Sequence, residues 1–178
     1  MEIETKRLIL REWRESDAID LFTFAKDTRV GPIAGWPPHK SEEDSLNIIK
    51  NVLSKPYTFA IELKSESKVI GSIGLLLQGE SNLDILKDEG EIGYWIGVPY
   101  WGQGITVEAV NAIIDLAFTK LNLSKLWCGY FDGNIQSKRV QEKCGFKYHH
   151  TNKNVYWKLT DDIRVEHVSY LENFIKIV

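Results

Sequence analysis

Several features that would define a protein class are scarce in this sequence of 178 residues. Its two cysteines, Cys128 and Cys144, lack the spacing of a metal site and are interpreted as core residues of a protein kept in a reducing cytosol. No apolar run approaches the roughly 20 residues of a membrane span, and the N-terminus lacks the pattern of a signal peptide. The formal net charge of −3 gives no support to general nucleic-acid binding. We therefore expect a cytoplasmic protein that binds neither nucleic acids nor membranes.

The composition is that of one ordinary globular domain, with 43% hydrophobic and 26% charged residues and no internal repeat. The predicted domain extends over residues 1–178. Strands are predicted at 5–13, 57–63, 69–77, 91–97, 125–131, 146–157 (with a turn at 151–154) and 164–171, and helices at about 17–26, 41–54, 105–121 and 135–144. The prolines and glycines of 28–40 predict a loop. This order predicts an α/β fold with a mixed sheet that is flanked on both faces by about four helices.

The stretch 91–121 predicts a strand, a glycine turn and a long helix, with apolar residues at helical spacing from Val110 to Leu121. The first turn of a helix has unpartnered N–H groups and roughly half a positive charge. Gly102 and Gly104 carry no Cβ atom that would keep a ligand away from those groups. A phosphate or pyrophosphate would fit there, and a plain connecting turn would also explain the glycines.

The segment PYWGQGITVEA, residues 99–109, resembles the acetyl-CoA pyrophosphate loop of the GNAT N-acetyltransferase superfamily. More narrowly, it resembles the branch that includes the ribosomal-protein N-terminal acetyltransferases. The loop of that family has Arg or Gln, then a central Gly, then Gly or Ala, where this sequence has Trp101, Gly104 and Thr106. Two of the three positions depart from the pattern, but the backbone N–H donors survive both changes. A second resemblance runs from Asn134 and Ser137 to Lys143 and Phe146, in the order and spacing of the family.

The resemblance implies a GNAT fold and an enzyme that transfers the acetyl group of acetyl-CoA directly to an amine in a ternary complex. The acceptor would be a protein N-terminal α-amine or a small-molecule primary amine. No metal is implied, and a homodimer is compatible with the family. The residues implied in binding acetyl-CoA are Ile96, Gly97, Trp101, Gly102, Gln103, Gly104, Ile105, Thr106, Asn134 and Ser137.

Catalytic roles follow from the needs of acetyl transfer. Glu91 is the candidate general base, although an exposed carboxylate at a strand end is the plain alternative. The N–H of Ile96 or Gly97, near a bulge, would stabilise the thioester oxygen. Ser137 would bond to the pantetheine or the thiol sulfur, or would instead cap its helix. The family's tyrosine acid is missing, because its position holds Gln141.

Further candidates are weaker. Tyr130 and Tyr148 are possible replacements for the missing acid, and nothing in the sequence selects either. Trp36 would contact the acceptor or pack under its loop. His149 and His150 are not expected to share a metal ion, because adjacent strand residues point to opposite faces.

Two other functions stay open at this point. A CoA-binding module that has lost catalysis is compatible with Gln141 at the tyrosine position. A nucleotide-binding domain would use the same glycine turn, but the lysine of a Walker loop is absent after the glycines.

Overall fold

The computed structural model describes residues 1–173, which form one mixed sheet of eight strands. Residues 174–178 of the predicted domain lie outside the described range. The strands follow the order β1-β2-β3-β4-β5-β6-β8-β7, and only the β5–β6 pair is parallel. Their bounds are β1 Ile3–Glu4, β2 Leu8–Arg11, β3 Thr58–Leu63, β4 Lys68–Leu76, β5 Glu89–Ile96, β6 Lys125–Phe131, β7 Lys147–Trp157 and β8 Asp162–Glu172.

Helices cover both faces of this sheet, as the sequence predicts. They are α1 Ala18–Ala25, α2 Gly31–Ala34, α3 Glu42–Ile48, α4 Ile105–Asp115 and α5 Ile135–Lys143. Helices α3 and α4 continue as π-helical turns to Leu53 and Lys120. The larger part of the core lies between the sheet and α4, where the apolar stripe of that helix is buried, while a smaller cluster lies under α1 and α3. We call these two sides the α4 face and the α1 face.

Three local predictions were wrong. The predicted loop at 28–40 contains α2, which has Pro32 in its first turn and ends at Gly35 with φ 94°. The predicted first strand, 5–13, is a strand only over β2, because a turn joins the Thr5 N–H to the Leu8 carbonyl, and β1 lies before the predicted range. The predicted turn at 151–154 is part of β7, in which two register shifts absorb the extra residues.

The feature that creates the site is a gap in the sheet between β5 and β6. The two strands pair over only three positions, from Glu89 with Lys125 to Glu91 with Trp127. Beyond that point β5 runs on to Ile96 and β6 to Phe131 without pairing with each other. Side chains of β5 alternate along the gap, so that Tyr94 and Ile96 lie on the α4 face and Glu91, Gly93 and Trp95 on the α1 face.

Candidate active site

A cavity of about 540 Å³ opens at the N-terminus of α4 and reaches the gap between β5 and β6. Its wall combines the end of β5, the glycine turn, one side of α5 and the short helix α2. The predicted cofactor-binding residues on this wall are Ile96, Trp101, Gly102, Gly104, Ile105, Thr106, Asn134 and Ser137. A cavity with these partners suits an extended ligand that has an anionic group at one end and a reacting group at the gap.

The glycine turn is an open cradle for a phosphate. Gly102 and Gly104 have φ values of 75° and 73°, in the left-handed region that glycine adopts without strain. A Cβ atom on Gly102 would meet nothing within 4 Å, and one on Gly104 would meet only the Arg7 guanidinium at 3.9 Å. Gly104 is the N-cap of α4 and no side chain caps this helix, so the first N–H groups of α4 have no partner within it. These residues therefore fit the pyrophosphate of a CoA thioester.

Three cations near the cavity were not among the binding residues predicted from the sequence. Arg139 and Lys143 lie one helical turn apart on α5 and line the cavity. Arg7 comes from the segment before β2, where its guanidinium donates to the Gln103 carbonyl at 3.0 Å and pairs with Glu108 at 2.6 Å. The spacing of Arg139 and Lys143 on one helix face could have indicated the first two, but only the fold brings Arg7 to the turn.

Of the two departures from the family's loop, Trp101 has a structural explanation, and Thr106 lines the cavity. The Trp101 indole N–H donates to the carbonyl of Ile96 at 2.9 Å and so ties the turn to the end of β5. The Gln103 side chain donates to the Pro99 carbonyl at 2.8 Å, and Gln103 does not line the cavity. Trp101 thus holds the shape of the turn.

A cluster of hydroxyl and amide groups lies where α5 meets the gap. Asn134 caps α5, because its side-chain oxygen accepts from the Ser137 N–H at 3.1 Å, so Ser137 is not the cap. The Ser137 Oγ is therefore available to the cavity. It lies 3.0 Å from the Tyr94 hydroxyl and 3.3 Å from Gln141 Nε2, which donates to it. Burial raises the pKa of Tyr94 well above its ordinary value, so this hydroxyl stays protonated at neutral pH.

The position of the missing acid is thus occupied by a buried amide that orients Ser137. Tyr94 and Tyr100 both line the cavity, and Tyr94 on β5 is the one whose hydroxyl lies beside Ser137. Neither of the tyrosines suggested as a replacement for the missing acid lines this cavity. Tyr130 and Tyr148 line a second cavity of about 460 Å³, on the other side of α5.

The two candidate oxyanion donors at the end of β5 differ in their partners. The Gly97 N–H donates to the Ile70 carbonyl at 2.8 Å, and the β4–β5 pairing is regular as far as Ile96, without the predicted bulge. Alternate N–H groups of a strand point to opposite neighbours, so the Ile96 N–H points away from β4 and toward the gap. Of these two residues, only Ile96 lines the cavity.

The candidate base Glu91 lies on the α1 face, at the last paired position before the gap opens. Its half-buried carboxylate accepts a hydrogen bond from the Ser81 hydroxyl at 2.6 Å. Burial raises the pKa of Glu91, the bond from Ser81 opposes this change, and the charge of Glu166 adds to it. A carboxylate with a raised pKa is a stronger base than an exposed one.

Trp36 lies just after α2, on the α1 face. Its ring is half-buried and packs edge-on against Trp95, with 5.6 Å between the ring centroids, and against His39 at 5.4 Å. It is absent from the cavity wall. Both interpretations of Trp36, as an acceptor contact and as a packing residue, are compatible with this position.

Within residues 1–173, no group of three or more His, Cys, Asp or Glu residues has an arrangement that would hold a metal ion. The argument that separated His149 from His150 was wrong, because the register shift between Tyr148 and His150 brings their Nδ1 atoms to 2.7 Å. In the same part of the chain, no helix combines the length and the apolar character that crossing a membrane requires.

Comparison with known proteins agrees with this geometry. The N-acetyltransferase p20 of Bacillus licheniformis, itself uncharacterised, is 32% identical over 148 residues, which are 80% of this chain and 80% of that protein. The crystal structure of the ribosomal-protein-S5-alanine acetyltransferase from Vibrio fischeri has a TM-score of 0.71 at 24% identity, over 98% of this chain and 97% of that one. The microcin C7 self-immunity acetyltransferase MccE, in complex with acetyl-CoA and AMP, has a TM-score of 0.75 at 16% identity, over 94% and 93% of the two chains.

The two structural likenesses show the fold, and the family follows from the sequence. Residues 7–147, which are most of the chain, match the family described as "Acetyltransferase (GNAT) domain". This range includes every residue that lines the cavity. The chain therefore belongs to the GNAT acetyltransferase family and is an acetyl-CoA-dependent acetyltransferase.

Proposed function

We propose that this protein transfers the acetyl group of acetyl-CoA to a primary amine by direct attack in a ternary complex. The observation that carries the proposal is the open glycine cradle at the start of α4, whose cavity continues into the gap between β5 and β6. A CoA thioester that is held by its pyrophosphate at the cradle would bring its acetyl group into the gap. The gap is open to the α1 face, from which an amine would approach.

The acceptor amine must lose a proton before or as it attacks. Glu91 borders the gap on the α1 face, and its raised pKa suits a base that takes the proton directly or through one water molecule. The new C–N bond forms as the carbonyl oxygen of the thioester gains negative charge. The N–H of Ile96 is the donor that would stabilise this charge, since the N–H of Gly97 is already engaged.

The C–S bond then breaks and the electron pair leaves with the sulfur. Ser137 would donate its hydroxyl proton toward the thiolate, because its Oγ already accepts a hydrogen bond from Gln141. The Tyr94 hydroxyl, 3.0 Å from Ser137, would resupply that proton. This pair of hydroxyls takes the role that the resemblance assigned to a tyrosine at position 141.

The acceptor that we propose is a protein N-terminal α-amine or a small-molecule primary amine. The likeness to the ribosomal-protein-S5-alanine acetyltransferase of Vibrio fischeri supports the first. A cytoplasmic location and a homodimer stay predictions from the sequence.

The test begins with calorimetric titration of the purified protein with acetyl-CoA, and with ATP and NAD as controls. We expect micromolar binding of acetyl-CoA alone, followed by release of free thiol when an amine from a panel is added. Binding of ATP or NAD in place of acetyl-CoA would overturn the proposed site. Binding of acetyl-CoA without thiol release for any amine would favour the CoA-binding module that Gln141 suggested.

A further inference from the structure

On the α1 face, the gap carries a second carboxylate that the proposed mechanism does not use. Glu166 lies on β8, directly opposite Phe131 of β6, and is only 8% exposed. Its Oε2 accepts a hydrogen bond from Asn152 at 3.2 Å. Its Oε1 lies 3.0 Å from the position that a Cβ atom on Gly129 would occupy, and no described residue donates a hydrogen bond to it. Gly129 is two residues beyond the last β5–β6 pair, so this oxygen lies beside the gap.

Glu166 and Glu91 are close enough to interact electrostatically. Neither carboxylate forms an ion pair with any Lys, Arg or His among residues 1–173. By contrast, the equally buried Asp17 and the partly buried Glu62 are both paired with Arg11. Burial of negative charge without a cation is unfavourable, so two such groups beside one opening favour a positively charged ligand.

The space beside these carboxylates is open and has aromatic sides. Gly93 lies across the gap from Gly129, is exposed, and has nothing within 4 Å of the position of a Cβ atom. The half-buried rings of Trp95 and Trp127 stand on the same face, at the two neighbouring positions along β5 and β6. Aromatic faces attract ammonium and guanidinium groups. The Lys125 ammonium already lies over the Trp127 ring, 5.3 Å from its centroid, so Trp95 is the aromatic wall that favours the same ligand chemistry as the carboxylates.

We propose that Glu166 is a specificity-determining residue that binds a second positive charge on the acceptor. This inference rests on the proposed function, in which Glu91 serves the reacting amine. The preferred acceptors are then amines with a further ammonium or guanidinium group a few bonds away. A small diamine and a basic residue near a peptide N-terminus share this chemistry.

The experiment compares acceptors that differ in one charge. Putrescine and n-pentylamine have chains of equal length and differ by an ammonium in place of a methyl group. The dipeptide amides Ala-ornithine and Ala-norleucine give the same contrast beside an α-amine, so the two pairs separate the two sources. We expect the charged member of the preferred pair to have a kcat/KM about tenfold higher or more, mainly through KM, as a charge-assisted hydrogen bond would give.

Glu166→Gln should reduce this ratio to about one. The ratio is the readout because the loss of the Glu166 charge beside Glu91 affects both members of a pair alike. The amide keeps an oxygen that can accept from Asn152, which protects the fold, and thermal unfolding checks this. Glu142→Gln, on the exposed side of α5, removes the same charge and should leave the ratio as it is. Equal kcat/KM within both pairs, or a ratio that Glu166→Gln does not change, would overturn the proposal.

Equilibrium titration of the CoA complex with the same amines separates this inference from the proposed function. A preference for the charged amine that Glu166→Gln abolishes, without thiol release for any amine, would support the cation site and overturn acetyl transfer. Thiol release without any preference for the charged amine would support the transfer and overturn the cation site.

Discussion

Replacing Gly104 by alanine places one methyl group in the proposed phosphate cradle. Gly104 has a φ of 73°, and the new Cβ would meet only the Arg7 guanidinium, at an ordinary contact distance of 3.9 Å. The free protein therefore has room for the methyl group. The remaining cost is that of the left-handed backbone, about 1–2 kcal/mol for a residue other than glycine.

The matched control is Gly79→Ala. Gly79 has a φ of 88° and nothing within 4 Å of the position of its Cβ, but it lies in the connection between β4 and β5 and not on the cavity wall. Both variants should lose a similar free energy of unfolding, about 1–2 kcal/mol, measured by urea denaturation.

Only Gly104→Ala should weaken acetyl-CoA binding. Its methyl group stands beside the first N–H groups of α4 and would displace a phosphate from at least one of them. A hydrogen bond to a charged group contributes about 1.5–3 kcal/mol, so the Kd should rise about 10- to 150-fold. Calorimetric titration measures it. A wild-type Kd in Gly104→Ala, or an equal loss in Gly79→Ala, would refute the assignment of the cradle.

Three further predictions concern single side chains. Glu91→Gln should lower kcat by about 100-fold or more with an unchanged Kd for acetyl-CoA, and a wild-type rate in the variant would remove Glu91 from this role. In the wild type, kcat/KM should fall as the pH drops through the raised pKa of Glu91, because the base must be ionised. Tyr94→Phe should lower kcat more than it changes acetyl-CoA affinity, measured by thiol release and calorimetry, and equal losses in both would indicate a packing role. Arg11→Met should lower the free energy of unfolding, measured by urea denaturation, by about 3–5 kcal/mol, because it leaves the carboxylates of Asp17 and Glu62 without their cation. A loss below about 1 kcal/mol would mean that these ion pairs contribute little.

Much of the fold was predictable because its signals are local. The apolar stripe of α4, the alternation along the strands and the acidic first turn of α3 each arise from residues a few positions apart. The local errors have the same origin. Helix α2 has only four residues and no apolar periodicity, and the shifts in β7 depend on its pairing with β8.

That the glycine turn precedes a helix was also predictable, because such a cradle needs only glycines at the start of a helix. Its assignment to the pyrophosphate comes from the family resemblance and stays a prediction. The tyrosine that lies beside Ser137 was not predictable. Tyr94 and Ser137 are 43 residues apart in the chain, and their hydroxyls meet only because α5 packs against α4 and β6, beside the gap that β5 borders.

Apart from β1 and α2, the sequence by itself determined the order of strands and helices, the mixed sheet and the glycine turn, since periodicity and backbone preference operate over neighbouring residues. The tertiary structure alone decided where β5 and β6 separate, which N–H at the end of β5 faces the gap, and that Glu166 lies near Glu91. Strand register sets these relations between distant residues, and register depends on the packing of the whole sheet.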